Sequence, residues 1–351
     1  MSAAPAARPH ITGVGLVTPA GPNALASCLA LRAGISCFAE LPHWVAGEEE
    51  DTAAPVQGAA IPAVLEVAPG TEPIVSHARR ALREALDDAG LDARGRRVRL
   101  FLGHDARLDP THLVAALGAE LPGAERPALR PAGRAAALVA LASALRALAD
   151  GALDAAVVGG VDQWVSPARL AVLGALGRLR TGDRPDGVLP GEAAGFVVLE
   201  PRDAARARGA RAYARVAGVG TALEPTAGTD EPCRGEALTA AMRDALRSAE
   251  PRGGRRRLPL CVSDFWGDHT GSIEIGLAHT RALPGCEGDF HHWHAADCIG
   301  DTGAAAGAVS LVWTALALRE RWTDLPEALL WGVSDGPERA AALLLPPGEE
   351  A

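Results

Sequence analysis

Residues 133–162 read GRAAALVALASALRALADGALDAAVVGGVD, and this stretch decides the fold. Small and apolar residues dominate Arg134–Asp150, which predicts a helix buried on nearly all sides, because a surface helix would carry a polar face. Gly151 ends that helix, and the apolar run Asp154–Val158 predicts a buried strand directly after it. A helix of this kind needs packing partners around its whole circumference. The stretch therefore indicates the centre of a large α/β fold.

A second segment repeats the first one later in the chain. Residues 133–148 and 303–318 align without a gap at an offset of 170 positions. The identical pairs are Gly133/Gly303, Ala135/Ala305, Ala136/Ala306, Val139/Val309, Leu141/Leu311, Ala147/Ala317 and Leu148/Leu318. Alanine bias is the alternative explanation, but the strands and helices that flank the two segments also recur in the same order. The repeat predicts a duplicated fold, with an N-terminal half over residues 1–205 and a C-terminal half over residues 206–351.

Strand-like and helix-like runs alternate along both halves. In the first half the predicted strands are His10–Leu16, Val98–Gly103, Asp154–Val158 and Gly195–Glu200, and the predicted helices are Asn23–Arg32, Ile74–Ala89, Thr111–Leu121, Arg134–Asp150 and Pro167–Leu176. In the second half the predicted strands are Arg211–Val219, Leu258–Ser263, Asp289–Trp293, Leu329–Gly332 and Arg339–Leu345, and the predicted helices are Glu236–Ser248, Ser272–Leu283 and Gly303–Trp322. Such alternation is typical of an α/β fold with buried sheets.

The composition narrows the functional classes. The chain has 351 residues, a net charge of −9 and no lysine. An acidic chain without a basic face argues against nucleic-acid binding. We find no apolar run long enough to span a membrane and no secretory signal. The six cysteines have no paired spacing, so we expect reduced thiols in a cytoplasmic protein, with no metal site and no cofactor.

Five segments, taken in order, resemble the β-ketoacyl synthase branch of the thiolase fold. They are Ile11–Pro19, Gly133–Asp162, Asp186–Glu200, Ala204–Gly218 and Gly300–Gly307. Within the third segment, Gly191, Glu192 and Gly195 match the family's Gly-Glu-x-Ala-Gly signature. The resemblance implies a thiolase-like fold of duplicated βαβαβ halves, stacked in α/β/α/β/α layers. It also implies a homodimer or a heterodimer, because the family builds its sheet across a two-fold interface.

The family's catalytic residues are a cysteine and two histidines, and the resemblance puts other residues at all three positions. Arg134 stands where the cysteine accepts an acyl group from a carrier thioester, and a guanidinium has no nucleophilic lone pair. Asp301 stands where the second histidine hydrogen-bonds a developing enolate, and a carboxylate would repel that charge. Counting back from Glu274 puts Ser263 or Asp264 at the first histidine. The resemblance therefore implies a scaffold without condensing chemistry.

Two of these replacements lead to structural expectations. The charge of Arg134 lies at the unfavourable end of a helix dipole, so we expect a carboxylate partner for it. Asp301 comes just before the helix that starts at Gly303, where an aspartate makes a good cap.

An alternative use of the same region is a repurposed acid–base site. Asp264, Asp268, His269, Asp297 and Asp301 fall on two loops that meet over one pocket in the family's fold. The competing interpretation treats these residues as polar loop residues and helix caps.

A histidine-rich strand offers a second alternative. His292 and His294 would share one face of this strand and could bind a metal together with Asp297 or Cys298. Because no paired ligand spacing supports that site, we expect a solvated or hydrogen-bonded histidine cluster instead.

Three functions fit these observations. The first is a catalytically inactive β-ketoacyl synthase-like protein that acts through a partner in fatty acid or polyketide synthesis. It would resemble a chain-length factor, pair with an active ketosynthase and meet an acyl carrier protein. The second is a structural or adaptor protein built on the same fold. The third is a repurposed acyltransferase or hydrolase that uses His269 and an aspartate. Replacement of every reacting group makes the first our leading hypothesis.

Overall fold

The computed structural model describes residues 8–46, 54–62, 72–105, 109–247 and 257–348. The strands in these ranges are β1 (His10–Val17), β2 (Ala39–Ala46), β3 (Ala54–Gly58), β4 (Val98–His104), β5 (Glu125–Pro131), β6 (Ala155–Gln163), β7 (Glu192–Glu200), β8 (Ala214–Leu223), β9 (Leu260–Ser263), β10 (His292–His294), β11 (Ala328–Val333) and β12 (Glu338–Leu345). The helices are α1 (Ala24–Arg32), α2 (Pro73–Ala89), α3 (Thr111–Ala119), α4 (Ala136–Ala149), α5 (Pro167–Ala175), α6 (Arg202–Ala207), α7 (Glu236–Arg247), α8 (His269–Ala282), α9 (Ala296–Ile299) and α10 (Ala306–Arg319). Two short 3-10 turns, Gly133–Ala135 and Gly303–Ala305, lead directly into α4 and α10.

Ten of the strands form one sheet, in the order β10-β9-β11-β12-β8-β1-β7-β6-β4-β5. Outward from the centre, each half has two antiparallel pairings followed by two parallel ones. The halves join through a short antiparallel contact between β1 and β8, in which His10 faces Arg215 and Ile11 faces Ala214. The same strand order on both sides confirms the duplicated fold. The division between residues 205 and 206 stays a prediction.

The burial of the helices shows how the helical and sheet layers are stacked. The central helices α4 and α10 are apolar and largely buried, and both contact strands of both half-sheets. On the outer faces, α2 and α3 cover the first half-sheet, whereas α7 and α8 cover the second. The helix α2 presents Val75, Ala78, Leu82 and Leu86 to the sheet at helical spacing. The α/β/α/β/α order that the resemblance implied is confirmed.

Several elements differ from the sequence predictions. The helix α8 begins at His269, earlier than predicted, because the Asp268 carboxylate accepts a hydrogen bond from the Gly271 amide at 2.7 Å. The strand β5 was not predicted, since it contains Pro127 and Pro131. Prolines are tolerated there because β5 lies at the sheet edge. The strands β2 and β3 and the short helices α6 and α9 were also missed. Among the described residues, no helix is both long and apolar enough to cross a bilayer.

Candidate functional site

The two 3-10 turns touch each other at the centre of the molecule. They begin at Gly133 and Gly303, whose φ angles of 51° and 52° lie in the left-handed region that favours glycine. A side chain at Gly303 would also meet Asp162 Oδ2 and Trp164 Nε1, each at 2.1 Å. The glycines let the chain turn sharply into each central helix. The first turn, Gly133–Ala135, therefore sets the position of Arg134.

Arg134 carries its charge inside the protein, with 4% of the residue exposed. Its Nε donates to both carboxylate oxygens of Asp301, at 3.0 and 2.9 Å, and its Nη2 also donates to Asp301 Oδ2. Its Nη1 donates to Asp335 Oδ1 at 2.6 Å. Asp335 in turn accepts a hydrogen bond from Arg178 Nη1 at 2.7 Å. Asp301 is therefore the carboxylate partner expected for Arg134, and Asp335 is a second one.

Two tryptophans enclose the same guanidinium. Its central carbon lies 5.2 Å from the ring centroid of Trp164 and 5.7 Å from that of Trp266, within cation–π range. Burial alone would lower the pKa of Arg134, but the charges of Asp301 and Asp335 raise it well above its usual value. Arg134 is thus held as a cation and has no lone pair with which to attack a thioester.

The Asp301 carboxylate also caps the second 3-10 turn. Its Oδ1 accepts a hydrogen bond from the Gly303 amide at 2.9 Å. The capping role predicted for Asp301 is confirmed by this contact. One buried carboxylate therefore neutralises Arg134 and satisfies a backbone donor of the turn before α10.

Asp264 follows β9 and is also buried near this charge cluster. Its Oδ2 accepts a hydrogen bond from the Val333 amide at 2.8 Å. Burial raises the pKa of Asp264 to about 7, and the neighbouring charge of Asp301 adds to the rise, whereas the Val333 amide and Arg134 oppose it. For Asp335 burial is outweighed by Arg134 and Arg178, and its pKa is lowered. The two carboxylates therefore differ in protonation near neutral pH.

A cavity of about 450 Å³ opens beside Arg134. Charged and aromatic side chains line it, among them Arg134, Arg178, Glu224, Asp264, Trp266, Asp268, Glu274, Asp335 and Arg339. A smaller cavity of about 260 Å³ shares Arg134, Ser334 and Asp335 with the first. The Arg134–Asp335 ion pair thus lies at the boundary between the two spaces.

The structure gathers only part of the predicted acid–base set. Asp264 and Asp301 lie near Arg134, and Asp268 lines the larger cavity while it caps α8. His269 is exposed and does not line the cavity, and Asp297 is exposed beside His294, 3.3 Å from its Nδ1. The structure therefore brings Asp264, Asp268 and Asp301 to this region, whereas α8 carries His269 outward and α9 carries Asp297 away.

The histidines on β10 form an aromatic cluster. The rings of His292 and His294 lie 3.9 Å apart, and His292 Nε2 lies 2.8 Å from Ser263 Oγ. Burial lowers the pKa of His292 to about 3. Within the described part of the chain, these histidines do not bring three ligand atoms together with Asp297 or Cys298. The hydrogen-bonded cluster is the arrangement that the structure has.

The signature residues hold the backbone around the site. A side chain at Gly191 would meet the Ile299 carbonyl at 2.0 Å, and one at Gly195 would meet Leu16 and Ala308 at 3.1 and 3.2 Å. Glu192 is buried, and its Oε1 accepts a hydrogen bond from the Ile61 amide at 2.6 Å. These positions serve close packing next to the loop that carries Asp301.

Three parts of the site were missed by the sequence reasoning, namely Arg178, Asp335 and the cavity wall from Glu224 to Cys233. One signal was available for Asp335. Asp335 lies just after β11, and Asp162 lies near the end of β6, the counterpart of β11 in the other half. Asp162 accepts a hydrogen bond from the Ala304 amide of the second turn at 2.9 Å. Arg178 and the 224–233 loop lie in polar loops without a distinguishing pattern.

Comparison with known proteins agrees with this geometry. Residues 131–205 match the family model described as the β-ketoacyl synthase N-terminal domain. The oxazolomycin ketosynthase domain of Streptomyces albus JA3453 superimposes with a TM-score of 0.82 and 20% identity, over 98% of this chain and 76% of that one. Residues 131–205 are thus similar to the β-ketoacyl synthase N-terminal domain, and the fold of the chain is that of ketosynthases. The ishigamide ketosynthase/chain length factor has a TM-score of 0.79 and 20% identity, over 97% of this chain and 99% of that one.

Curated relatives extend the ketosynthase resemblance in sequence. The 3-oxoacyl-[acyl-carrier-protein] synthase 2 of Rhizobium meliloti (strain 1021) is 32% identical over 198 residues, which are 52% of this chain and 45% of that protein. The synthase of the same name from Vibrio cholerae serotype O1 is 37% identical over 126 residues, 31% of this chain and 30% of that protein. The ketosynthase-like chain thus spans less than half the length of the curated relatives it matches.

Proposed function

We propose that this ketosynthase-like chain is a non-condensing subunit that acts through a partner in fatty acid or polyketide synthesis. The observation that carries the proposal is the engagement of Arg134 by Asp301 and Asp335 at the start of α4. In the family resemblance this is the position of the acyl-accepting cysteine. A guanidinium that is buried, charged and paired twice cannot form an acyl-enzyme.

The charge of Asp301 supports the same conclusion from the substrate side. Decarboxylation of a malonyl unit needs hydrogen-bond donors toward the enolate that develops. An ionised carboxylate is only an acceptor, and both oxygens of Asp301 already face Arg134. Asp301 itself therefore offers no donor to an enolate, which supports the proposal that the site performs neither acyl transfer nor decarboxylation.

The partner we propose is an active ketosynthase, in a heterodimer that also meets an acyl carrier protein. Support comes from the named structures that share the fold. One is a ketosynthase/chain length factor, and another is a type II PKS acyl-carrier protein in complex with its ketosynthase, with a TM-score of 0.81 and 18% identity over 97% of this chain and 99% of that one. A homodimer stays an alternative, and a cytoplasmic location stays a prediction.

A decarboxylation assay with a partner arm tests the proposal. The purified chain is incubated with malonyl-carrier protein, alone and together with an active ketosynthase of the same organism, and released carbon dioxide is measured. We expect none from the chain alone and a stable complex with the ketosynthase by light scattering. Carbon dioxide release by the chain alone would overturn the non-condensing role. Failure to form a complex would overturn the partner role and favour an adaptor protein instead.

The structure gives no comparable support to the repurposed hydrolase or acyltransferase. Its proposed base, His269, is exposed at the start of α8 and lies outside the cavity. A general base must lie within hydrogen-bonding reach of the reacting group. If any such activity is found, a His269→Ala variant that retains it removes this alternative.

A further inference from the structure

Three potential metal ligands from distant segments meet on the wall of the larger cavity. Glu224 follows β8, Cys233 lies in the loop before α7, and Glu274 belongs to α8. The thiol sulfur and one carboxylate oxygen of each glutamate lie within 4.8 Å of one another. All three residues line the cavity of about 450 Å³. This cluster is separate from the Arg134–Asp301 pair, and it takes no part in the proposed non-condensing role.

A buried oxygen of Glu224 points to a missing ligand. The residue is 3% exposed, and its Oε1 accepts a hydrogen bond from Thr226 Oγ1 at 2.8 Å. Its Oε2 is fully enclosed and, within the described residues, makes no hydrogen bond of ordinary geometry, although the Ala237 amide faces this carboxylate. A buried carboxylate oxygen without a partner costs free energy, and such a group calls for an explanation. A cation beside it supplies one.

The charges around the cluster leave a net negative charge that a divalent cation would balance. Glu274 is paired with Arg339, whose Nε and Nη2 donate to its two oxygens at 2.6 and 3.1 Å. The Glu274 carboxylate also accepts a hydrogen bond from the Cys233 thiol, and loss of the thiol proton frees that lone pair for a metal. A thiolate and two carboxylates carry three negative charges, and Arg339 cancels one of them. A divalent cation would bring the buried group to neutrality, which is the state that a low-dielectric interior favours.

We propose that Glu224, Cys233 and Glu274 bind a zinc-like divalent cation, with a fourth position open to the cavity. Zinc accepts thiolate and carboxylate ligands together, and the sulfur selects against magnesium and calcium. Bond lengths of about 2.0–2.3 Å put tetrahedral ligand atoms about 3.3–3.8 Å apart. Side-chain rotations that move the three ligand atoms by about an ångström therefore bring them to bonding distance of one cation. Binding replaces the thiol proton of Cys233, which leaves to solvent. The open position fits water or a small anionic ligand in the cavity.

Cobalt(II) is the probe of choice, because it substitutes for zinc and gives a near-ultraviolet charge-transfer band only when a thiolate is bound. The full-length protein is stripped with a chelator and titrated with cobalt chloride, and then with zinc chloride. We expect a band that saturates at one cobalt per chain and disappears when zinc displaces it. Cys233→Ser should abolish the band, and Glu224→Gln should weaken cobalt binding by about 100-fold or more, above the range of outer-shell partners. The control Cys37→Ser, at a half-exposed cysteine elsewhere in the fold, should leave the titration unchanged.

Each contrary outcome overturns the metal site. A folded wild-type protein without a charge-transfer band has no thiolate ligand for cobalt. A band that survives in Cys233→Ser but is lost in Cys37→Ser assigns the metal to another cysteine. Because Cys233→Ser changes a single half-buried atom, circular dichroism checks its fold, and Glu224→Gln provides an independent test. Failure of this site leaves the proposed non-condensing role intact, since carbon dioxide release is measured separately.

Discussion

The two 3-10 turns at the centre of the molecule have the same backbone conformation but different side chains. Gly133 and Gly303 have φ angles of 51° and 52°, and both turns lead into helices of 14 residues. In the second turn, Ala304 contributes only a methyl group, and its amide donates to Asp162 at 2.9 Å. In the first turn, Arg134 occupies the corresponding position and engages two carboxylates.

Both turns are capped by a side chain from the other half, but at amides one position apart. The Ala135 amide donates to Ser334 Oγ at 3.0 Å, whereas in the second turn the Ala304 amide donates to Asp162. In each case a side chain near the end of a strand in one half satisfies a turn in the other half. The fold therefore depends on glycines, caps and packed alanines, whereas only the first turn carries a cation, whose partner Asp301 also caps the second turn. Predictions about the two turns separate these contributions.

The largest expected effect comes from breaking the buried ion pair. In Asp301→Ala, Arg134 keeps a buried charge that loses its main partner, and the Gly303 amide loses its cap. We expect a loss of about 3–5 kcal/mol in the free energy of unfolding, measured by urea denaturation.

A double variant separates the effect of the buried charges from that of the cap on the Gly303 amide. Arg134→Met combined with Asp301→Asn removes both charges and keeps an oxygen that accepts from the Gly303 amide. We expect this variant to unfold with a markedly smaller loss than Asp301→Ala, because no charge is left buried alone. Equal losses in the two variants would contradict a dominant role for the ion pair.

A glycine comparison tests the shared backbone. In Gly303→Ala the new methyl group meets Asp162 and Trp164 at 2.1 Å, whereas in Gly133→Ala it meets Ser334 Oγ at 3.2 Å. Both variants carry the left-handed penalty of about 1 kcal/mol, and only the first adds severe overpacking, about 1–3 kcal/mol. Thermal unfolding monitored by circular dichroism should therefore rank Gly303→Ala as the less stable. The reverse ranking would show that the first turn is the tighter one.

Asp264 gives the cluster a pH dependence of known sign. Its pKa in the folded protein is about 7, above the usual 3.8, so between these values the folded state holds a proton that the unfolded chain has released. The free energy of unfolding therefore falls as the pH rises through this window and is unaffected by Asp264 outside it. Relative to Asp264→Asn, which does not titrate, the wild type should lose on the order of 2–3 kcal/mol from about pH 5 to pH 8. Urea denaturation at both pH values measures this difference, and a constant difference would contradict a protonated Asp264.

The smallest effect is expected at the outer carboxylate of the cluster. The Asp335 side chain is 38% exposed and shares Arg134 and Arg178, so solvent screens the pair. Asp335→Asn should cost about 0.5–1 kcal/mol in the free energy of unfolding, well below Asp301→Ala. A loss as large as that of Asp301→Ala would mean that the two carboxylates hold Arg134 equally.

Much of the fold was accessible from local sequence patterns. The apolar helices α4 and α10 and the strands beside them were predicted because burial on all sides leaves no polar face. The edge strand β5 was missed because its pairing with β4 is set by tertiary contacts that outweigh Pro127 and Pro131. Local propensity carries no information about such contacts.

The site was accessible only in part. The sequence predicted that Arg134 needs a carboxylate partner but did not identify it, because Asp301 is 167 residues away. Asp335 is 201 residues from Arg134, and Arg178 lies in a polar loop without a distinguishing pattern. The sequence reasoning gave His269 a possible catalytic role, but the residue lies on the exposed side of α8. Its exposure depends on how the helix packs and not on its neighbours in sequence.

The most direct test of the account is the mass of the intact protein after incubation with an acyl-carrier protein thioester. An authentic 3-oxoacyl synthase, treated in parallel, serves as the positive control and gains the mass of one acyl group. The account predicts that the chain keeps its unmodified mass, because Arg134 offers no nucleophile and stays paired with Asp301. An acyl group attached to any residue that lines the cavity beside Arg134 would contradict it.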